Sequence, residues 1–129
     1  MTRSTDRVGE LAVLTGLALR AAQAEMAELK AREADLRQNL TDLLAQKTRD
    51  PRPQNDPALI AGADLRWQQW VDQRRATVNA ELAQVLAQID NRQRRLRGLF
   101  GRDQAARALV EKARKDDRSN RLRSMDYES

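Results

Sequence analysis

Apolar residues return at every seventh position along two stretches of this chain. On the N-terminal side Val8, Thr15, Ala22, Leu29, Leu36 and Leu43 form one series, and Ala12, Leu19, Met26, Glu33 and Leu40 fill the position four residues on. On the C-terminal side Val71, Val78, Val85, Arg92, Leu99 and Ala106 form another, complemented by Leu82, Ile89, Leu96, Asp103 and Val110. Apolar positions spaced alternately by three and four residues put a narrow stripe on one side of a helix. Two such stripes predict a coiled coil.

The two patterns are separated by TRDPRPQNDP, residues 48–57. Pro51, Pro53 and Pro57 each lack an N–H, and each ring clashes with the preceding helical turn. Each also pushes the residue before it out of the helical region. Asp56-Pro57 reads as a helix start, with Asp as N-cap and Pro at the first helical position. Ser4, Thr5 or Asp6 is positioned to cap the first helix. The expected architecture is all-α and a single domain over residues 1–129: helix 1 about 5–48, a turn at 49–56, helix 2 about 57–116, and a frayed polar tail at 117–129. Each helix alone would leave its stripe in water, so a proline-rich turn predicts a two-helix antiparallel coiled-coil hairpin with helix 2 longer than helix 1. The same stripes would also serve long helices pairing between chains.

At about 1.5 Å per residue the helices would span ~65 Å and ~90 Å. Folding back around residue 53 sets Leu36 near Trp70, Ala22 opposite Val85 and Val8 opposite Leu99. In that register the segment after Phe100 overhangs as a single basic helix. Glu33 and Arg92 interrupt the stripes and Ala is frequent in them. A buried Leu stabilises by roughly 1.5–3 kcal/mol and Ala by far less, so the pairing is expected to be thin.

Composition agrees with helix. Aromatics make up 3% and Gly plus Pro only eight residues, while charged residues make up 33%. Ala, Leu, Arg, Gln and Glu lose little side-chain freedom in a helix. The net charge of +5 is unevenly distributed. Residues 1–90 hold 12 basic and 13 acidic groups, and residues 91–125 hold 12 basic and 4 acidic. That asymmetry predicts a negatively charged partner. With neither Cys nor His, disulfides, thiolate metal sites and imidazole acid–base chemistry are excluded. No apolar run approaches the length of a membrane span. The opening MTRSTDRVGELAVLTGLALRAAQAE loosely imitates a signal peptide. Asp6 and Glu10 sit where positive charge should be, however, and the heptad pattern runs straight through it.

Three features are candidate contact sites. The first is the arginine cluster around NRQRRLRGLFGRDQ: Arg92, Arg94, Arg95, Arg97, Arg102 and Arg107, with Lys112, Arg114 and Lys115 beyond. Arginine suits bidentate grip on carboxylates or phosphates, although a solvated helix face is the plain alternative, and Arg92 lies at the stripe itself. The second is Phe100, the only Phe in the chain. It either closes the core beside Val8 and Leu11 or stands out as an anchor. Gly98 and Gly101 bracket it, either as a weak point in a continuous helix or as a joint after which Asp103 re-caps. The third is the pair Trp67 and Trp70, on one side of helix 2, as a plug for the turn end of the core or as a second contact. Neither a phosphate-binding glycine loop nor a nucleophile system is present, so no catalytic residue, metal ligand or cofactor is expected.

A small two-helix hairpin with a basic C-terminal helix, and the run RDQAARALVEKARKD at residues 102–116 in particular, resembles the flagellar export protein FliJ and its YscO-type relatives in type III secretion. That resemblance implies a cytoplasmic central stalk of a hexameric export ATPase, peripheral at the inner-membrane export apparatus, which also contacts the export gate. It implies that the basic overhang (Arg92, Arg94, Arg95, Arg97, Phe100, Arg102, Arg107, Lys112 and Arg114) meets carboxylates of the ring. A nucleic-acid-associated basic coiled coil and a structural or adaptor coiled coil are the alternative expectations. The first lacks any aromatic platform or recognition-helix turn.

Overall fold

The computed structural model describes residues 2–48 and 57–128. The described residues form two helices and no strand: α1, Thr2–Thr48, and α2, Pro57–Glu128. They pack as an antiparallel coiled-coil hairpin in which α2, at 72 residues, is longer than α1, at 47. Pro57 opens α2, where its missing N–H costs nothing. The expected cap Asp56 and the turn at 49–56 lie outside the described residues. The chain divides into two compact units: a terminal unit of Met1–Met26 with Asn91–Ser129, and a middle unit of Ala27–Asp90.

The middle unit holds a conventional apolar seam. Leu36 and Leu43 of α1 close against Val71, Val78, Leu82 and Val85 of α2, and Leu40, Trp67 and Ile89 pack on that cluster. Leu36 is only 1% exposed. Each of these aliphatic side chains contributes roughly 1.5–3 kcal/mol by leaving water. Arg32 and Glu81 bridge the two helices at 3.0 Å, but both are solvated, so the pair adds little. Glu33, on the seam side, is held by Arg37 one turn on at 3.5 Å. Arg75 falls at a seam position, and its Nε is buried with no hydrogen-bond partner among the described residues.

The seam of the terminal unit is built from different residues. Leu19, Met26 and Ala106 are its buried apolar side chains, and Asp103 is buried with them at 3% exposure. Around these, Thr5, Val8, Ala12, Thr15 and Ala22 of α1 and Leu96, Leu99, Val110, Ala113, Asp117 and Asn120 of α2 are half-buried. Polar groups meet across it in three layers. Thr5 Oγ1 donates to Asp117 Oδ2 at 2.8 Å, and Thr15 Oγ1 donates to Asp103 Oδ1 at 3.1 Å. Arg92 Nη1 donates to Glu25 Oε2 at 3.1 Å.

These layers correct the expected register. Val8 shares a groove with Leu109 and Ala113, not with Leu99, and Ala22 lies level with Leu96 rather than Val85. In the middle unit Gln46 stands opposite Trp67 and Arg32 opposite Glu81, so Leu36 lies level with Val78 rather than Trp70. Folding back about residue 53 would bring Asp103 level with Ser4, at the fringe of α1, and Arg92 level with Thr15. The observed register instead matches Asp103, Asp117 and Arg92 with Thr15, Thr5 and Glu25, which removes the cost of burying a lone carboxylate.

The helix ends differ as well. α1 begins at Thr2, so Thr5 lies within the helix and directs its hydroxyl across the seam instead of capping. α2 continues to Glu128, so residues 117–128 are helical and not a frayed tail. Asp103, Ala106, Val110, Ala113 and Asp117 are wholly or partly buried, with α1 residues opposite them. The basic stretch after Phe100 is therefore not a free overhang. Only Arg121–Glu128 runs past the last seam residue, Asn120.

Candidate functional site

Seam positions on α2 in the terminal unit fall at 92, 96, 99, 103, 106, 110, 113, 117 and 120, so the intervening residues point away from α1. Arg94, Arg95, Arg97, Arg102, Arg107, Lys112 and Arg114 all stand at intervening positions and are exposed. The terminal unit carries 15 basic and 9 acidic residues, against 9 and 10 in the middle unit. The positive surface thus belongs to the paired coil rather than to a projecting helix.

Arg92 and Arg107, both predicted contact residues, pair with acids of the terminal unit itself. Arg92 sits at the seam and, half-exposed, pairs with Glu25 across it. Arg107 Nε donates to Asp103 Oδ2 at 3.1 Å, one turn along the same helix. Asp103 therefore accepts from Thr15 at one oxygen and from Arg107 at the other. It is a buried seam carboxylate in mid-helix, not the cap of a terminal segment. A Cβ built at Gly16, across the seam, would lie 3.7 Å from Asp103 Oδ1, an ordinary van der Waals contact.

Phe100 is 50% exposed and flanks the seam without closing a core against Val8. Leu11, the other residue expected beside it, is itself exposed on α1. α2 passes through Gly98 and Gly101 without a break, and neither has a positive φ. No joint divides the helix at these glycines, and the cationic side chains on both sides of them ride on one helix.

The tryptophans occupy the middle unit. Trp67 is partly buried on the apolar cluster, and its Nε1 donates to the carbonyl of Gln46 at 3.4 Å. Trp70 stacks on it with ring centroids 5.3 Å apart and an interplanar angle of 18°. Trp70 is itself about half exposed. The pair divides the two roles set out for it: Trp67 plugs the core, and Trp70 forms the wall of a shallow pocket completed by Ala63 and Arg66.

Chemically, the arginine surface can hold carboxylates or phosphates through charge-assisted hydrogen bonds. Among the described residues no group of three or more His, Cys, Asp or Glu side chains is arranged to hold a metal ion, and no helix is long and apolar enough to cross a membrane. No protein-family model, no curated protein and no solved structure matches this chain.

Proposed function

We propose that this chain is a non-enzymatic docking protein whose terminal coiled-coil unit engages a carboxylate-rich protein surface. In its specific form it is a FliJ-like stalk of a flagellar or type III export ATPase ring, working in the cytoplasm at the export apparatus. The observation that carries the reading is the segregation of charge: the terminal unit is a paired, basic coil, whereas the middle unit is near-neutral. Arginine dominates that surface, and its planar fork suits carboxylates lining a pore. Contacts of this kind are fast, reversible and sensitive to orientation. In this form of the proposal it is the flank of a two-helix coil, rather than a bare helix, that meets the ring. Trp70 and its neighbours provide a second contact, for which an export-gate component is the proposed partner.

The test is stimulation of a purified export ATPase hexamer by the chain. The triple variant Arg94/Arg95/Arg97→Glu is expected to keep its helical content and lose stimulation. Undiminished stimulation by that variant would remove the proposed contact surface. Salt-sensitive retardation of DNA at near-physiological ionic strength, without any effect on the ATPase, would move the same arginines to a nucleic-acid role.

A further inference from the structure

α1 carries a second apolar stripe that its own hairpin does not cover. Arg7, Leu11, Leu14, Ala18, Ala21 and Glu25 are spaced by four, three, four, three and four residues and share one side of the helix. The stripe lies about a third of a turn around α1 from the seam that faces α2. All six residues are exposed, Leu14 to 63%, and exposed Leu17 widens the apolar surface beside them.

The order of residues along the stripe identifies what fits it. Large side chains, Leu11 and Leu14, occupy one half, and small ones, Ala18 and Ala21, the other. A basic residue closes the large end and an acidic residue the small end. Laid antiparallel on a copy of itself about a two-fold axis level with Gly16, the stripe sets Leu11 against Ala21, Leu14 against Ala18 and Arg7 against Glu25. Each contact occurs twice, as an isologous interface requires. A parallel arrangement would stack Leu on Leu, Ala on Ala, Arg7 on Arg7 and Glu25 on Glu25. From this complementarity of size and charge we infer that the outward stripe of α1 is a self-association surface whose occupant is the same stripe of a second copy, antiparallel.

The stripe spans about 28 Å. It offers far fewer than the roughly 20–30 residues a side of a stable interface, so the dimer is reversible and depends on concentration. Glu25 can serve both its partners, because only Oε2 is engaged by Arg92.

Sedimentation equilibrium of the full chain, from low to high micromolar, is the experiment. A monomer–dimer equilibrium is expected. Leu14→Asp should weaken it by at least about tenfold, since it puts a carboxylate into each apolar contact, with the helical melt unchanged because Leu14 is outside the seam. Arg7→Glu and Glu25→Arg should each weaken it by roughly threefold to tenfold. The double swap Arg7→Glu/Glu25→Arg should return it to within about twofold of the original. A melt recorded for each variant separates loss of pairing from loss of the Glu25–Arg92 bond, and Arg7→Glu alone carries the charge test if Glu25→Arg does not fold. A chain monomeric at every concentration would overturn the inference. So would a dimer indifferent to Leu14→Asp, or a folded double swap that stays as weak as the single variants. A monomer that floats with anionic lipid vesicles, and loses this through Leu14→Asp, would also overturn it and give the surface to lipid. None of these readouts involves an ATPase, so the dimer and the docking role stand or fall separately.

Discussion

Thr15 and Asp103, 88 residues apart in sequence, share a hydrogen bond across the seam of the terminal unit at 3.1 Å. Arg107 grips the remaining carboxylate oxygen, so this buried acid is satisfied on both sides. Replacing Thr15 by Val keeps the shape and removes one donor. We expect a loss of about 1–2 kcal/mol in urea-unfolding stability, the cost of leaving a buried acceptor short of a partner. Asp103→Leu removes the demand itself and should be neutral or stabilising. A Thr15→Val variant as stable as the parent would mean that solvent, not Thr15, satisfies Asp103.

Leu36 is the point of greatest leverage in the middle unit. Leu36→Asp buries a carboxylate among Leu43, Val71 and Val78. The expected cost exceeds about 3 kcal/mol, combining the lost transfer energy of Leu with the burial of a charge. Circular dichroism at rising temperature should show the cooperative transition lost or moved far down. An unchanged melt would refute the seam.

Arg75 brings a guanidinium to a position where aliphatic residues would pack, and its Nε is left without a partner among the described residues. Arg75→Met keeps the length of the side chain and removes the stranded donor. The variant should gain roughly 1 kcal/mol, read as a higher midpoint in guanidinium chloride. A lower midpoint would show that the remaining guanidinium nitrogens hold a contact worth more than the buried Nε costs.

Gly98 and Gly101 lie in uninterrupted helix, and a Cβ built on either meets nothing within 4 Å. Each Gly→Ala change should therefore stabilise by up to about 1 kcal/mol through helix propensity alone. The double variant should also test whether flexibility here matters to partner binding: higher stability with weaker docking would mark these glycines as a functional softness.

The helices and their break were legible because they follow from local rules. A 3–4 spacing of apolar residues and three prolines within residues 51–57 leave few alternatives for the chain. The register was not legible, because a heptad repeat fits its partner equally well at every slip of seven. What selects one register in the terminal unit is long-range polar matching, Thr5 with Asp117 and Thr15 with Asp103, and Thr is read in a sequence as a neutral seam residue. Arg92 looked like an interruption of the stripe and Asp103 like a possible cap, and each is instead half of a pair. At the candidate site, the positions of the arginines on the outward side of α2 follow from the same periodicity. Their setting on a paired coil depends on the register, and so was missed. The exposed stripe on α1 was not legible as such, because Leu11, Leu14, Ala18 and Ala21 lie in the stretch that imitates a signal peptide and alternate there with seam residues.

The two units differ in what fills their seams, and exchange should report it. Leu36, Leu43, Val71 and Val78 form a dry aliphatic contact, whereas Ala12, Thr15, Ala22, Ala113 and Asp117 bury little apolar area. Amide hydrogens around 5–22 and 99–120 should exchange faster than those around 36–43 and 71–85 in hydrogen–deuterium mass spectrometry, reflecting a lower cost of local opening. Uniform protection along both helices would contradict that ranking.

The doubly anchored carboxylate of Asp103 also limits how a mechanical signal could pass along the terminal unit. A slip of one heptad would bring it level with Val8 or Ala22, neither of which has a side-chain donor. Axial gliding of one helix past the other would break this contact together with Thr5–Asp117 and Arg92–Glu25. Torque that rolls the pair as a body leaves these bonds intact. Sliding is the motion these bonds resist, and rolling the one they leave free.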